Sequence, residues 1–259
     1  MVTLNIWNRL GPWEERLAVI RKGIQELSPD IVGLQEVIEL PDSTQAKMIA
    51  DGLGYETAYG MATSYGGGVT MGNAVLSRWP VVSERVFRLP NGGTDEHRSI
   101  LFTEIDSPFG KLPFFVTHLN WKLHESVVRE EQVQEVAAVV KAHAPVEGLP
   151  PILVGDLNAQ PEASEIRFLK GLQSLGQKST YFADCFEQAG YGPGVTFDGT
   201  RNLFAEQYHE HPRRIDYILV RGPDTKARGK PLTSRVVFDI PDNGVFASDH
   251  FGVMAEISI

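Results

Sequence analysis

The sequence predicts a layered α/β sandwich that folds as one domain over residues 1–259. Many of the predicted strands are apolar at nearly every position, which is typical of strands that are covered on both faces. The predicted helices suffice to cover one outer face of each of two sheets. No low-complexity segment or long linker divides the chain, and its length lies within the range of one large α/β domain.

The elements begin with a strand in "TLNIW", followed by an amphipathic helix over residues 14–27. Apolar residues recur at helical spacing in this helix, acidic residues lie in its first turn, and Pro29 follows its end. The apolar run "IVGLQEV" comes next and carries Glu36 near its C-terminal end. A helix over about 125–143 and the run "ILVGDLN", with Asp156, repeat this arrangement. The sequence thus predicts two strands that each finish in a carboxylate.

The remaining segments are mainly of strand type. "AVLS" and "VVSERVFRL" are divided by Trp79 and Pro80, and "SILFTEID" and "KLPFFVTHL" are divided by a Ser-Pro-Phe-Gly turn that predicts a hairpin. Three more strands are predicted in "RIDYILV", "LTSRVVFDI" and "FGVMAEISI". The glycine-rich stretches "YGGGVTMGN" and "PNGGTDEH" indicate loops.

The composition limits the location and the partners of the protein. No uncharged apolar run is long enough to span a bilayer, and the N-terminal residues lack the features of a signal peptide. The single Cys185 excludes an intramolecular disulfide and suits a reducing compartment, so we expect a cytoplasmic protein. A net charge of -9 disfavours a broad basic surface for nucleic acid, although a local basic groove or a metal that screens phosphates is compatible with such binding. We expect a monomer.

Polar side chains collect at the ends of the predicted strands. They are Asn5, Glu36, His118, Asn120, Asp156, Asn158, Asp216, Asp249 and His250. Taken singly, an Asn or Asp at such a position is usually a turn or cap residue, and a lone His is usually packed and hydrogen-bonded. Together they are costly to bury unpaired, and a hard divalent cation gives them a reason to converge. Oxygen ligands without thiols favour Mg²⁺ or Mn²⁺ over zinc.

Six segments carry a family resemblance: "TLNIW", "LQEV", "THL", "GDLNAQP", "RRIDYIL" and "SDH", in this order between residues 3 and 250. They resemble the endonuclease/exonuclease/phosphatase superfamily, which includes DNase I-like nucleases, abasic-site endonucleases, inositol-polyphosphate 5-phosphatases, neutral sphingomyelinases and deadenylase-like enzymes. The resemblance covers essentially the whole chain. It implies a four-layer α/β/β/α sandwich, with two mostly antiparallel sheets packed face to face and helices on their outer faces, and a metal-dependent phosphoesterase activity.

The resemblance also implies roles for single residues. Glu36 is expected to be the main carboxylate ligand of Mg²⁺, with Asn5 and Asp249 as direct or water-mediated ligands. His250 is expected to act as general acid or base beside the phosphorus, with Asp216 fixing its tautomer.

Three further positions are expected to act on the phosphate itself. By resemblance, Asp156 and Asn158 position the attacking water and a phosphate oxygen, and His118 donates a hydrogen bond to the phosphate. Whether Asp156 or His250 takes the proton of the water stays open at this stage. Arg98 in "EHRSI" is either a bidentate phosphate clamp or a surface residue at the start of a strand.

Other motifs point less clearly to a function. His209 and His211 alternate in a predicted loop with no third ligand, which disfavours a metal site there. Abasic-site endonucleases carry basic and aromatic loops that grip kinked DNA, and no comparable Lys/Arg-rich insertion occurs in this chain. No apolar hairpin or transmembrane tail of the kind expected for a membrane-bound sphingomyelinase is present either.

The favoured function is a Mg²⁺-dependent hydrolase of a phosphodiester or a small organic phosphate. A nuclease acting on DNA or RNA and a sphingomyelinase-like lipid phosphodiesterase remain alternatives, with the acidic composition tilting the choice toward smaller substrates. An inactive binding module is disfavoured because the whole metal and histidine set is present. A serine α/β-hydrolase is disfavoured because no G-x-S-x-G elbow occurs.

Overall fold

The computed structural model describes residues 1–259, which form two β-sheets and six helices. The strands are β1 (Val2–Asn5), β2 (Ile31–Leu40), β3 (Ser43–Thr44), β4 (Glu56–Gly66), β5 (Val69–Ser77), β6 (Val81–Arg88), β7 (Ser99–Ser107), β8 (Gly110–His118), β9 (Ile152–Asp156), β10 (Ala183–Asp184), β11 (Asp216–Val220), β12 (Pro231–Val237) and β13 (Gly252–Ile257). The helices are α1 (Trp13–Leu27), α2 (Gln45–Ala50), α3 (Ser126–His143), α4 (Ser164–Leu169), α5 (Cys185–Ala189) and α6 (Leu203–Glu206). None of the helices combines the length and the apolar character that crossing a bilayer requires.

The two sheets share the same plan. The first has the strand order β12-β13-β1-β2-β5-β4, with the short β3 paired to β2, and the second has the order β10-β11-β9-β8-β7-β6. Only β1–β2 and β8–β9 are parallel pairs, and all other neighbours are antiparallel. Each parallel pair lies inside its sheet and is joined by a long helix, α1 or α3, as parallel connections require.

Three apolar clusters hold the layers together. The central cluster lies between the sheets, where Val75 and Val253 of the first sheet pack with Phe114, Val154 and Ile218 of the second. A second cluster joins the outer face of the first sheet to α1 and α2, and a third joins the outer face of the second sheet to α3 and α4. The order is therefore helix, sheet, sheet, helix, which confirms the predicted four-layer α/β/β/α sandwich.

Helix α1 shows how the sequence sets the outer layer. Glu14 and Glu15 lie in its first turn, where acidic side chains stabilise the helix dipole, and Ser28 ends the helix in a left-handed conformation at φ 48°. Ile20 and Ile24, one turn apart, are buried against the first sheet.

A close backbone approach in the second sheet explains one glycine of "VGDLN". Gly155 pairs with Thr117 of the parallel neighbour β8, and a Cβ at position 155 would stand 1.9 Å from the Thr117 carbonyl oxygen. Glycine therefore lets β9 lie against β8 immediately before Asp156, which ends the strand beside His118.

The structure corrects two of the sequence predictions. "YGGGVTMGN" is not mainly a loop, because β4 runs to Gly66 and β5 begins at Val69, so that only a tight glycine turn separates two long strands. Glu36 does not end its strand, since β2 continues to Leu40. The register of β2 against β5 shifts between Leu34 and Val37, and this bulge contains Glu36. The predicted loop over "PNGGTDEH" and the β7–β8 hairpin are confirmed.

Candidate active site

A cleft of about 400 Å³ opens at the end of the sandwich where strand ends of both sheets meet. Nine residues were assigned expected roles in the reaction, and eight of them line the cleft: Asn5, Glu36, Arg98, His118, Asp156, Asn158, Asp249 and His250. The ninth, Asp216, is fully buried behind His250. Asn5 and Glu36 come from the first sheet, whereas His118 and Asp156 come from the second. The structure thus brings together residues that lie as much as 245 positions apart in the chain.

Asp156 is the point at which the other side chains meet. Its Oδ2 lies 3.1 Å from Nδ2 of Asn5, 3.3 Å from Nε2 of His118 and 3.7 Å from Nε2 of His250. Its Oδ1 accepts a hydrogen bond from the backbone N–H of Asn158 at 2.9 Å, and Asn158 adopts a left-handed φ of 50°. The carboxylate is therefore fixed at both oxygens and links the two sheets.

His250 forms a dyad with Asp216. The ring Nδ1 lies 3.0 Å from Asp216 Oδ2, which places a proton on Nδ1 and leaves Nε2 facing Asp156 and the cleft. Burial opposes protonation of the ring, but the charges of Asp216, Asp156 and Asp249 outweigh it and hold the pKa of His250 well above its usual 6.5. An imidazole oriented by a carboxylate in this way is suited to proton transfer.

Glu36 sits in strained backbone at the β2 bulge, with φ at 58°. Its Oε1 accepts from Nδ2 of Asn5 at 3.2 Å, and its Oε2 accepts from Nδ2 of Asn8 at 2.9 Å. The bulge turns the side chain into the cleft, where two amides hold both oxygens. Asn8 is a site residue that the sequence analysis missed, although its position three residues after Asn5 in "NIWN" is a usable signal.

A buried arginine holds the loop that carries Asn8. Arg16 of α1 is fully buried and donates hydrogen bonds to the carbonyl oxygens of Ile6, Trp7, Asn8, Leu10 and Ala247. Burial lowers the pKa of Arg16 to about 10, against the opposing charges of Asp249 and Glu36. The loop takes unusual conformations, with positive φ at Trp7 and Asn8. The guanidinium therefore ties both this loop and the segment before Asp249 to α1.

Carboxylates crowd the floor of the cleft. Burial raises the pKa of Asp249 to about 7, and Glu36 and Asp156 add to the effect while His250 opposes it. Burial also raises the pKa of Asp156 to about 6, with a further contribution from Asp216. Buried carboxylates that repel one another in this way fit a cation-binding site.

Two sets of side chains could hold a metal ion. Asp156, Asp216 and His250 each offer one ligand atom, and these atoms lie within 4.8 Å of one another. Glu36, Asn5 and Asp249, the set that the family resemblance implies, also line the cleft. One oxygen of Asp216 has no hydrogen-bond partner although it is buried. The donors are oxygen-rich and contain no thiol, which fits a hard divalent cation.

Arg98 lies at the cleft wall beside His118. Its Nη1 is 2.9 Å from His118 Nδ1, and its Nη2 is 3.4 Å from a carboxylate oxygen of Glu96. Burial, followed by the charges of Arg98 and His250, holds the pKa of His118 well below 6.5, so that its ring is neutral. Only 6% of the Arg98 side chain is exposed, so Arg98 is not a surface arginine.

Aromatic rings and one further arginine complete the cleft. The rings belong to Trp7, Tyr65, Trp121, Phe197 and Tyr208. Arg213 lies over the Phe197 ring and forms an ion pair with Glu210. His209 and His211 are exposed and do not line the cleft, which agrees with their disfavoured reading as metal ligands.

The sequence model of the Endonuclease/Exonuclease/phosphatase family matches residues 2–250. A search of curated proteins finds no significant match.

Solved structures share the fold over almost the whole chain. D. rerio TDP2 complexed with single strand DNA product is 21% identical, with 98% of this chain and 96% of that chain covered and a TM-score of 0.75. Truncated Caenorhabditis elegans TDP2 is 20% identical, covering 100% and 97% of the two chains at a TM-score of 0.75. An endonuclease/exonuclease/phosphatase from Beutenbergia cavernae is 25% identical, covering 99% and 71% at a TM-score of 0.73.

The fold, the family match and the buried Asp156–Asp216–His250 group together fit a metal-dependent phosphoesterase. The family match extends over nearly every residue, and the sandwich agrees with that of solved relatives. The protein therefore belongs to the endonuclease/exonuclease/phosphatase family.

Proposed function

We propose that this protein hydrolyses a phosphodiester with the help of Mg²⁺ or Mn²⁺. The observation that carries the proposal is the convergence on Asp156, whose Oδ2 has the amide of Asn5 and the imidazoles of His118 and His250 within 3.7 Å. A carboxylate, two imidazoles and amides at one strand end provide the acid–base and hydrogen-bonding groups that attack of water on phosphorus needs.

Glu36, Asn5 and Asp249 are proposed to hold the metal. The bulge directs Glu36 into the cleft, and burial together with the charges of Glu36 and Asp156 raises the pKa of Asp249, which fits a carboxylate suited to bind a cation. A bound divalent ion supplies Lewis-acid polarisation of a phosphate oxygen and balances charge on the leaving oxygen.

The remaining side chains act on the water and the phosphate. Asp156 and His250 are proposed to orient the attacking water and to accept its proton, because both face the same space. Asp216 keeps the proton of His250 on Nδ1, so that Nε2 is free to accept. Asn158 and His118 are proposed to hydrogen-bond the phosphate oxygens from the β8–β9 side.

A nuclease acting on single-stranded nucleic acid is a second candidate. Three exposed aromatic rings at the cleft, those of Tyr65, Trp121 and Tyr208, favour it, because bases stack on such rings without regard to sequence. The D. rerio relative was solved with single strand DNA product, which supports the same class of substrate. The net charge of -9 weighs toward short strands or nucleotides over long polyanions.

Metal removal is expected to abolish hydrolysis. Incubation with EDTA should remove the activity on bis-p-nitrophenyl phosphate, and excess Mg²⁺ or Mn²⁺ should restore it, since the carboxylates of the cleft cannot polarise a phosphate oxygen themselves. The measurement is the release of p-nitrophenol with and without added metal, with a calcium-saturated chelator as control. Full activity in metal-free EDTA buffer would show that the proposed metal has no catalytic role.

Metal binding is also expected to stabilise the fold in a pH-dependent way. The pKa values of Asp156 and Asp249 are raised from 3.8 to about 6 and about 7, so the folded metal-free chain binds more protons than the unfolded chain. Their contribution to stability is therefore complete below about pH 4 and is lost as the pH rises through 6 to 7.

A cation bound to the ionised carboxylates should recover this loss. Saturating Mg²⁺ is expected to raise the melting temperature by about 5 °C at pH 8 and by about 1 °C at pH 5, as measured by calorimetry. The Asp249→Asn variant should be more stable than the wild type at pH 8 without metal and should lose most of the Mg²⁺ increment. An equal increment at both pH values would contradict the proposed site.

A further inference from the structure

The hydrogen bonds of Arg98 determine the tautomer of His118. A guanidinium carries only donors, so Nη1 of Arg98, at 2.9 Å, can bond His118 Nδ1 only if that nitrogen presents its lone pair. A neutral imidazole has one acceptor and one donor nitrogen. The proton of His118 must then lie on Nε2, which faces Asp156 and the cleft.

The surroundings of Nε2 agree with this assignment. Asp156 Oδ2, an acceptor, lies 3.3 Å from Nε2 and can receive its proton in a hydrogen bond. The amide Nδ2 of Asn158 is 3.1 Å from the same nitrogen, but it also donates to the Leu119 carbonyl oxygen at 3.1 Å and does not need the ring as an acceptor. The opposite tautomer would set a ring N–H against a buried guanidinium, which is the costlier clash.

The two histidines of the cleft consequently have opposite tautomers. His250 is oriented by a carboxylate, Asp216, which takes the Nδ1 proton in a hydrogen bond, so the neutral ring presents its lone pair on Nε2. His118 is oriented by a cation, Arg98, and presents an Nε2–H. One ring is arranged to accept a proton, and the other is arranged to donate a hydrogen bond.

On the basis of the proposed phosphodiesterase function, we propose that Arg98 is a positioning residue that locks His118 as a hydrogen-bond donor to the substrate phosphate. Arg98 is then not a direct phosphate clamp, since Nη1 is bonded to His118 and Nη2 lies near Glu96. The pairing of Ile100 with Thr117 in the β7–β8 hairpin brings the arginine next to the ring, so the arrangement is built into the sheet.

The tautomer can be measured directly by long-range ¹H–¹⁵N NMR on protein with ¹⁵N-labelled histidine. The His118 signals among the seven histidines are assigned by their absence in His118→Gln. The wild type at pH 8 and the Arg98→Lys variant, which keeps a cationic donor, should show the Nε2–H form. The Arg98→Met variant, which has no donor, should show the Nδ1–H form or a mixture.

Kinetics provide the second readout. Arg98→Met should lower kcat on bis-p-nitrophenyl phosphate about 10²-fold, as loss of an oriented donor does, with KM within about threefold of wild type. Arg98→Lys should recover most of the loss. In a His118→Gln background, Arg98→Met should have little additional effect, because the arginine acts through the ring.

Several results would overturn the proposal. They are an Nδ1–H tautomer in the wild type, an unchanged tautomer in Arg98→Met, or a rise in KM with kcat unchanged, which is the behaviour of a phosphate clamp. If Arg98→Met does not fold, the wild-type and Arg98→Lys spectra still decide the tautomer. The spectra need no substrate, so a wild type that cleaves no phosphodiester refutes the proposed function without deciding the tautomer.

Discussion

Replacement of Asp156 by alanine is expected to lower kcat on a phosphodiester roughly 10²- to 10³-fold, the range observed for loss of an oriented electrostatic or acid–base group. The carboxylate links Asn5, His118 and His250, so its removal frees three side chains at once. Steady-state hydrolysis of bis-p-nitrophenyl phosphate at saturating Mg²⁺ measures the effect.

The fold is expected to survive this change. Burial raises the pKa of Asp156 to about 6, so ionisation of this carboxyl is already unfavourable, and its loss removes a repulsive charge near Asp216. Circular dichroism and the melting temperature serve as controls. Asp106→Ala is a matched variant, because Asp106 also lies in a strand but is exposed and pairs with Lys111; it should keep wild-type kcat. A wild-type rate in Asp156→Ala would remove this residue from the catalytic group.

Replacement of His250 by alanine is expected to lower kcat by a similar factor, roughly 10²- to 10³-fold, because the dyad with Asp216 is then lost. Neighbouring carboxylates hold the pKa of His250 well above 6.5, so the wild-type rate at saturating Mg²⁺ should rise with pH until the ring loses its proton. The variant should lack this limb of the pH–rate profile, which is measured at constant metal saturation.

A matched histidine variant separates this role from a general loss of imidazole. His211 is exposed in the loop before Arg213 and lies outside the cleft, so His211→Ala should keep both the wild-type kcat and the pH limb. An unchanged pH–rate profile in His250→Ala would contradict the assignment of His250 to proton transfer.

Much of the architecture follows from the sequence because its periodicity is strong. The apolar run "ILVGD" and the helical stripe of residues 14–27 reappear almost unchanged as β9 and α1. The sequence predicts a loop over "YGGGVTMGN", at the turn of the β4–β5 hairpin, because the glycines there hide the strand signal. A Cβ at Gly72 would stand 1.9 Å from the Gly60 carbonyl oxygen. Glycine is therefore required at position 72 because the two paired strands approach closely there, and it does not form a turn.

The site was predictable where a motif and a strand end coincide, as at Asp156 and His250. It was less predictable where the neighbours of a side chain depend on how two strands pair in the folded protein. The sequence shows Arg98 only as an arginine before a strand, and the neighbour of its guanidinium is set by the pairing of β7 with β8. Arg16 was missed for the same reason, since nothing in an amphipathic helix indicates that one charged residue points inward to bond backbone carbonyls.

The division of the cleft between strand ends and loops has an evolutionary consequence. The groups assigned to chemistry are anchored in or beside strands of two tightly packed sheets, whereas rim residues such as Trp121 and Tyr208 lie in turns and connections. Mutations that reshape the rim leave the anchors untouched, because loops accept insertions and exchanges that a core rejects. In such a scaffold, mutations at the rim of the cleft can change the substrate over evolution, while the residues assigned to hydrolysis stay the same.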